Sequence, residues 1–323
     1  MNGAELRAAQ HLLGTAIRHR AGRLPLPRMA HVYLEHPRFP SLDTADWETV
    51  FGALRCLDVV KLLGTDPVER GDLAHVLQAI RRLVDPAILQ LNTPGKDPDA
   101  VAQVVEQVAW PGLHVRVAVD DWMGARAARK TVEALLPLRR ERGVRIGMNV
   151  HVTPQNAHSV EAARAWCAFM EVGFFPGVPV KSVVFRETPE SLGAYQPDPA
   201  VVAAVEACED SGTGGYPALM RQVMGRGSRA LLRSLAEQGP NQRFPCMELR
   251  ALIYLLPNGD VVPCGLRVEQ PVGNLVADDL ETIWTGRRAC AAREDVAACR
   301  GCFQASIQLM SHLYGGHWLE LVS

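Results

Sequence analysis

The sequence predicts an α/β chain: a partial (β/α)6 TIM-like barrel followed by a small cysteine-rich α+β domain. Two observations predict the barrel. Six short β-branched runs alternate with helical stretches through the first 188 residues, as parallel strands joined by helical crossovers do. Six such units also favour a sheet that curls over one that stays open. A third observation predicts the second domain. Cys246 and Cys264 bracket the text ALIYLLPNGDVVPC, and the CRGC pair Cys299 and Cys302 follows. The expected boundaries are an N-terminal helix over 1–28, the barrel over 29–188, a linker over 189–243 and the cysteine-rich domain over 244–323.

In chain order, residues 4–20 place Leu6, Ala9, Leu12, Leu13 and Ile17 at helical spacing, which predicts an amphipathic helix packed on the barrel. Strands are expected at 29–35, 59–64, 87–92, 114–120, 145–152 and 180–185. Helices are expected at 44–54, 72–83, 97–108, 125–142 and 159–171. Residues 189–243 are rich in Gly, Pro and Ser and read as a connector with a short helix at 199–208.

In barrels of this kind the functional groups sit at the C-terminal ends of the strands and in the loops that follow. Here those ends carry Glu35 and His36, the turn Gly64-Thr65-Asp66-Pro67, Asn92 to Gly95, Asp120 to Trp122, Thr153 to Asn156 and Arg186 to Thr188. Glu35, Asp66, Asp120, His151 and Arg186, with Asp121 and Asn149 beside them, are the candidate acid–base groups of this mouth. Each residue type is also a common cap or turn former. His31 and His36, five apart on an extended segment, fall on opposite faces and read as ordinary side chains before a metal pair.

The cysteine-rich end carries the sharper chemistry. A CxxC turn supplies two thiolates, and a hairpin flanked by cysteines brings two more within about 2.3 Å of a shared centre. Pro257-Asn258-Gly259-Asp260 is the hairpin signal between two β-rich runs. The ligand set Cys246, Cys264, Cys299 and Cys302 suits a [4Fe-4S] cluster, and equally a structural zinc ion. Cys56, Cys167, Cys208 and Cys290 read as packing thiols.

Composition bounds the partners. Thirty-four Lys and Arg balance 35 Asp and Glu, so no field for nucleic acid or an anionic membrane stands out. No apolar run approaches the length of a membrane span, and the N-terminus lacks the apolar core of an export signal. Eight cysteines in such a chain fit a reducing cytoplasm.

The spacing Cys246-x12-Gly259-x4-Cys264, then Gly273-Asn274-Leu275, an Asp-Leu-x-x-Ile-Trp helix and Cys299-x2-Cys302 resembles the twitch form of the SPASM domain. That module is the C-terminal part of many radical S-adenosylmethionine (radical SAM) enzymes. The resemblance implies that the four cysteines hold one auxiliary [4Fe-4S] cluster. The barrel resembles the radical SAM core. Gly64-Thr65-Asp66-Pro67 stands where the family has Gly-Gly-Glu-Pro, followed by Arg70-Gly71-Asp72-Leu73, and Asn92-Thr93-Pro94-Gly95 ends the third strand. By that resemblance Gly64, Thr65, Asp66, Pro67 and Asn92 are degenerate counterparts of the S-adenosylmethionine contacts.

The family's CxxxCxxC loop after the first strand is missing. His31 to Pro40 runs directly into Ser41-Leu42-Asp43-Thr44, with no cysteine before Cys56. Reductive cleavage needs an iron presented by three thiolates. The sequence therefore points first to an iron–sulfur protein that binds a peptide or small molecule, or an active partner enzyme, without radical chemistry. An enzyme using the barrel mouth and a zinc-stabilised interaction module are the other readings.

Overall fold

The computed structural model describes residues 3–177, 198–207, 227, 230–239, 245–299, 301–302 and 305–317. Six parallel strands form its centre: β1 (Met29–Tyr33), β2 (Val59–Leu63), β3 (Ile88–Thr93), β4 (Leu113–Val119), β5 (Arg145–His151) and β6 (Gly173–Gly177). They stand in the order 6-5-4-3-2-1, so among the described residues β6 is the edge of the sheet and the barrel is partial. Three further strands, β7 (Leu252–Leu255), β8 (Asp260–Val262) and β9 (Gly273–Asn274), continue the sheet on the other side of β1. The cysteine-rich end is thus hydrogen-bonded into the barrel sheet: β7 runs parallel to β1, with His31 opposite Tyr254.

Helices α1 (Gly3–Arg20), α2 (Thr44–Ala53), α3 (Leu73–Leu83), α4 (Pro98–Val108), α5 (Arg126–Arg142), α6 (Val160–Phe169) and α7 (Pro199–Glu206) precede a helix at 230–238, α8. α9 (Leu280–Thr285), α10 (Arg287–Ala297) and α11 (Ala305–Tyr314) follow the last strands. Four starts have a side-chain cap: Asp43, Asp97, Asp198 and Asp279 each accept backbone N–H of the first turn. Pro98 and Pro199 occupy the first turn, where a missing N–H costs nothing.

Strand alternation divides the core into two. Ala30, Val32, Val60, Leu62, Leu89, Leu91, Val115 and Val117 face outward into helices α2 to α6, around Trp47 and Phe51. Each such side chain contributes about 1.5–3 kcal/mol on burial. The alternate residues face inward. Met29, Tyr33, Val59 and Ile88 join Leu252 and Tyr254 of β7, and α1, α8 and α11 close over them through Leu12, Leu231, Ile307, Met310 and Leu313.

Two expectations change. The sixth strand is Gly173–Gly177, ahead of the expected 180–185, which lies outside the described residues. Gly147 and Gly173 leave room between β5 and β6 for the Phe175 ring, which a Cβ on either would meet at 2.6 or 2.5 Å. The apolar stripe of α1 is also only partly used: Leu12 is buried, but Leu6, Leu13 and Ile17 are exposed. α1 lies close against α11, where Thr15 and Ala16 are buried and a Cβ added at Gly316 would meet the Ala16 Cβ at 3.4 Å. No described helix is long and apolar enough to cross a membrane.

The inward face is unusually polar for a parallel sheet. One register row runs Tyr254, His31, Lys61, Gln90, His114, Arg145 across β7 to β5. Burial pushes Lys61 down to about 7 and Glu248, which attracts it, well above the carboxylate range. Both groups therefore lean toward their neutral forms.

The sheet continuity has a direct consequence. Deleting residues 245–323 exposes the β1 edge and strips the inner core of Leu252, Tyr254 and Met310. Such a fragment is expected to aggregate or to show no cooperative unfolding by circular dichroism; a soluble, cooperatively melting barrel would contradict the shared-sheet reading. Lys61 gives a pH signature. Its folded pKa lies below its unfolded value, so the unfolded chain binds the extra proton between about pH 7 and 10.4 and stability rises with pH across that window. Lys61→Met is expected to reduce the gain in urea midpoint between pH 7 and pH 9, and an unchanged slope would place the proton elsewhere.

Candidate metal centre

The hairpin that presents the first two cysteines is built by local rules. Gly259 takes φ +83°, a conformation suited to glycine, and donates its N–H to Leu256 O at 3.0 Å. Asn274 locks the turn from outside: its Nδ2 donates to Asn258 O and Asp260 Oδ1, both at 2.9 Å. Gly273 lies directly beneath Ile283, whose Cγ1 would stand 2.6 Å from an added Cβ. Trp284 anchors the following helix by donating Nε1–H to Pro25 O at 2.9 Å, and Arg293 sits over its ring. The Gly-Asn-Leu and Ile-Trp texts are therefore the fasteners of the hairpin and its helix.

Cys246 precedes a tight turn closed by Leu252 N–H to Met247 O at 3.0 Å, and Met247 N–H donates to Ser311 of α11. Cys264 follows β8 and accepts Arg267 N–H through its carbonyl. Cys299 ends α10, and Cys302 leads into α11, where Gln308 Nε2 donates to its carbonyl at 2.6 Å. The four thiols stand within one electrostatic neighbourhood. Burial first, then Glu248, pushes Cys246 well up, with Cys302 and Cys264 adding to it. Burial and Glu248 likewise push Cys264 to about 12, with Cys299 adding.

A cationic centre reverses that balance, because coordinated thiols deprotonate outright. Glu248 points to the same need. It is 1% exposed, and neither carboxylate oxygen has a hydrogen-bond partner among the described residues. An uncompensated buried polar group of this kind costs about 1–3 kcal/mol or more. The donor chemistry fits an iron–sulfur cluster, while no three described His, Cys, Asp or Glu side chains converge on a point sized for one ion. A four-iron cube holds its thiolates further apart than a single ion does.

Next to the thiols lie the inward rings of β1 and β7. Tyr33 and Tyr254 stack with centroids 6.0 Å apart, His31 stacks on Tyr254 at 4.7 Å, and Cys264 and Glu248 act electrostatically on both tyrosines. The thiol group therefore adjoins the barrel interior. Sequence reasoning missed Glu248, Lys61 and His114. For Lys61 and His114 the signal was present: polar or charged residues at alternate positions of runs such as VVKLL and HVRVAV, in strands that parallel sheets ordinarily fill with apolar residues.

The mouth candidates separate into groups. Asp66 is 4% exposed and already engaged: its Oδ1 accepts Thr93 Oγ1–H at 2.9 Å and Val68 N–H at 3.3 Å. It caps the short helix Pro67–Glu69, so its carboxylate is held within its own turn. Gly64 beside it takes φ +144°, and a Cβ there would meet Glu35 O at 2.9 Å. Asn92 spends its amide on Leu62 O and Gln90. Burial pushes Glu35 up against the pull of Arg70. Asp121 accepts the N–H groups of Met123 and Gly124 as a turn former.

Asp120 and His151 do come together. His151 Nδ1 lies 2.6 Å from Asp120 Oδ1, and Asn149 Nδ2 approaches Nε2 at 3.2 Å. Asn156 braces both strand ends by donating to Asp120 O and His151 O. Arg186 and Cys208 lie outside the described residues. Cys167 is buried in α6 and pushed to about 12. Cys290, expected to pack, is instead exposed on α10, with Thr285 O and Arg293 as its neighbours.

The loop after β1 is closed on itself. His36 and Phe39 form an isolated antiparallel bridge with their rings 5.4 Å apart, and Arg38 N–H donates to His36 Nδ1. Leu42 N–H then donates to Pro257 O in the β7–β8 turn at 2.9 Å. Cys56 lies between α2 and β2, at the opposite end of the strands, with its carbonyl accepting from Arg28. His36 therefore does not meet the buried His31.

Residues 246–303 match the family model of SPASM, an iron–sulfur cluster-binding domain. Among solved structures, SuiB of Streptococcus suis is similar with a TM-score of 0.56 at 12% identity, over 90% of this chain and 72% of that one. The structure of anSMEcpe with bound AdoMet and a Cp18Cys peptide gives a TM-score of 0.54 at 11% identity, over 92% and 97% of the two chains. No curated protein sequence matches. The chain shares the fold of these two structures over about nine-tenths of its length, and the stretch that matches the SPASM iron–sulfur cluster-binding domain lies at residues 246–303 of it.

Proposed function

We propose that this chain is an iron–sulfur protein in which Cys246, Cys264, Cys299 and Cys302 hold one [4Fe-4S] cluster on a barrel that no longer cleaves S-adenosylmethionine reductively. It serves as a substrate-binding, partner-binding or electron-transfer component in the modification of a peptide or small molecule. The observation that carries this reading is the contrast between the two ends. Four thiols share one neighbourhood in the C-terminal module, whereas the loop after β1 has no thiol and is closed by His36 and Phe39. Three thiolates are what would leave one iron open for S-adenosylmethionine.

The turn after β2 supports the same conclusion. Asp66 is one methylene shorter than the glutamate of the resembling motif and is tied to Thr93 and Val68. Reaching a ligand would require breaking both bonds. The peptide bound to anSMEcpe favours a peptide among the possible substrates. When present, the cluster supplies one-electron chemistry. The chain's own residues hold it next to the barrel interior, where Tyr33, Tyr254 and the Lys61–Glu248 pair separate it from solvent.

A second reading rests on the Asp120–His151 pair. A carboxylate on Nδ1 orients the imidazole, as in general-base sites. The mouth would then be the working site of an enzyme with different chemistry.

The ligand set is tested by replacing each cysteine in anaerobically purified protein and reading iron, sulfide, zinc and the broad absorbance near 400 nm. Cys246→Ala, Cys264→Ala, Cys299→Ala and Cys302→Ala are each expected to lose most iron and colour, and Cys56→Ala and Cys290→Ala to keep both. Full iron in any of the first four removes that cysteine from the set, and one zinc with no iron sinks the cluster reading. His151→Ala that abolishes turnover with the cluster intact favours the enzyme reading.

A further inference from the structure

A cavity lies at the end of the barrel opposite the mouth. Its volume is about 240 Å³, and His114, Arg116, Arg145, Phe175 and the Arg139–Glu171 pair line it. These residues come from the first halves of β4, β5 and β6 and from the ends of α5 and α6. β3, β2 and β1 separate it from β7, so it does not depend on the cluster reading.

Arg116 is the central observation. Its guanidinium lies 3.0 Å over the Phe175 centroid, and no described carboxylate pairs with it. The ring occupies one face of the guanidinium and leaves the N–H donors along its edge. Burial alone pulls Arg116 down to about 9, with no anion pulling it back. Arg139, by contrast, is committed to Glu171 and to the Met170 and Glu171 carbonyls. His114 is the second, independent observation. It is 4% exposed, and its Nε2 is buried without a hydrogen-bond partner among the described residues. Burial first, and then the charges of Arg116 and Arg145, depress its protonation.

We infer that this cavity binds a small oxyanion, a carboxylate or phosphate group, with Arg116 and His114 as its contacts and Arg145 adding positive charge. Arginine presents a planar fork of donors that matches both groups, usually through two parallel bonds. An anion there would pair with a guanidinium that no described carboxylate neutralises. The volume is below the roughly 300–1,000 Å³ of sites that enclose whole drug-sized ligands. It therefore suits a small free anion or the charged end of a larger molecule.

Thermal unfolding of the cluster-loaded protein tests this, with sodium phosphate or disodium succinate exchanged for sodium chloride at constant ionic strength. At ten times its Kd, at least one anion is expected to raise Tm by about 2 °C, saturably. Arg116→Gln is expected to abolish that gain, and whichever anion acts identifies the preferred group. Should Arg116→Gln fail to fold, wild-type protein treated with phenylglyoxal decides the matter. The same anion is expected to slow modification of Arg116 about tenfold in peptide maps. An equal rise in Tm for folded Arg116→Gln, or neither stabilisation nor protection of Arg116, overturns the proposal.

Discussion

The parallel pairing of β7 with β1 is the constraint on which the rest of this structure depends. It makes the cysteine-rich end an extension of the barrel sheet. Because side chains alternate along a strand, the pairing also fixes which residues of β7 enter the interior: Tyr254 beside His31, with Leu252 beside Met29. The thiols and Glu248 follow from that register. They lie against the inner rings of Tyr33 and Tyr254, so a metal centre there is coupled to the inside of the barrel. The Leu42–Pro257 hydrogen bond ties the opposite end of the hairpin to the loop after β1.

Polarity is distributed in a way that matches this arrangement. The outer face of the strands is an ordinary apolar core against helices, and it accounts for folding. The inner face carries His31, Lys61, Gln90, His114 and Arg116 at real cost, since burial drives Lys61 and Arg116 toward neutrality. Groups held at such cost mark an interior that has work to do. At the mouth, however, Asp66 and Asn92 are spent on their own turns, and the first loop is closed without a thiol. Within the mouth, Asp120 and His151 form a pair with the geometry of an acid–base group.

The sequence made the outer architecture legible because its signals are local. β-branched runs, capping aspartates and the Pro-Asn-Gly-Asp turn each specify an element from a few neighbouring residues, and five of the six expected barrel strands lie where the pattern placed them. The cysteine-rich module was legible for the same reason, and the SPASM match at residues 246–303 contains Cys246, Cys264, Cys299 and Cys302. Less legible was whatever depends on long-range contact. Gly147 and Gly173 admit the Phe175 ring between β5 and β6, a strand the local pattern did not announce, and α1 packs on α11 with Leu13 and Ile17 left exposed. Asp120 and His151 were singled out separately, but only the β4–β5 register brings them together. Glu248 was hidden because nothing in its neighbours announces a buried carboxylate.

The most direct measurement is an iron count on anaerobically purified protein, followed by dithionite reduction with S-adenosylmethionine and assay for 5′-deoxyadenosine. A single auxiliary cluster on a barrel without a cleavage cluster gives about four irons per chain and no 5′-deoxyadenosine. About eight irons, or 5′-deoxyadenosine formed in step with reduction, would show that a second cluster binds and that radical chemistry survives.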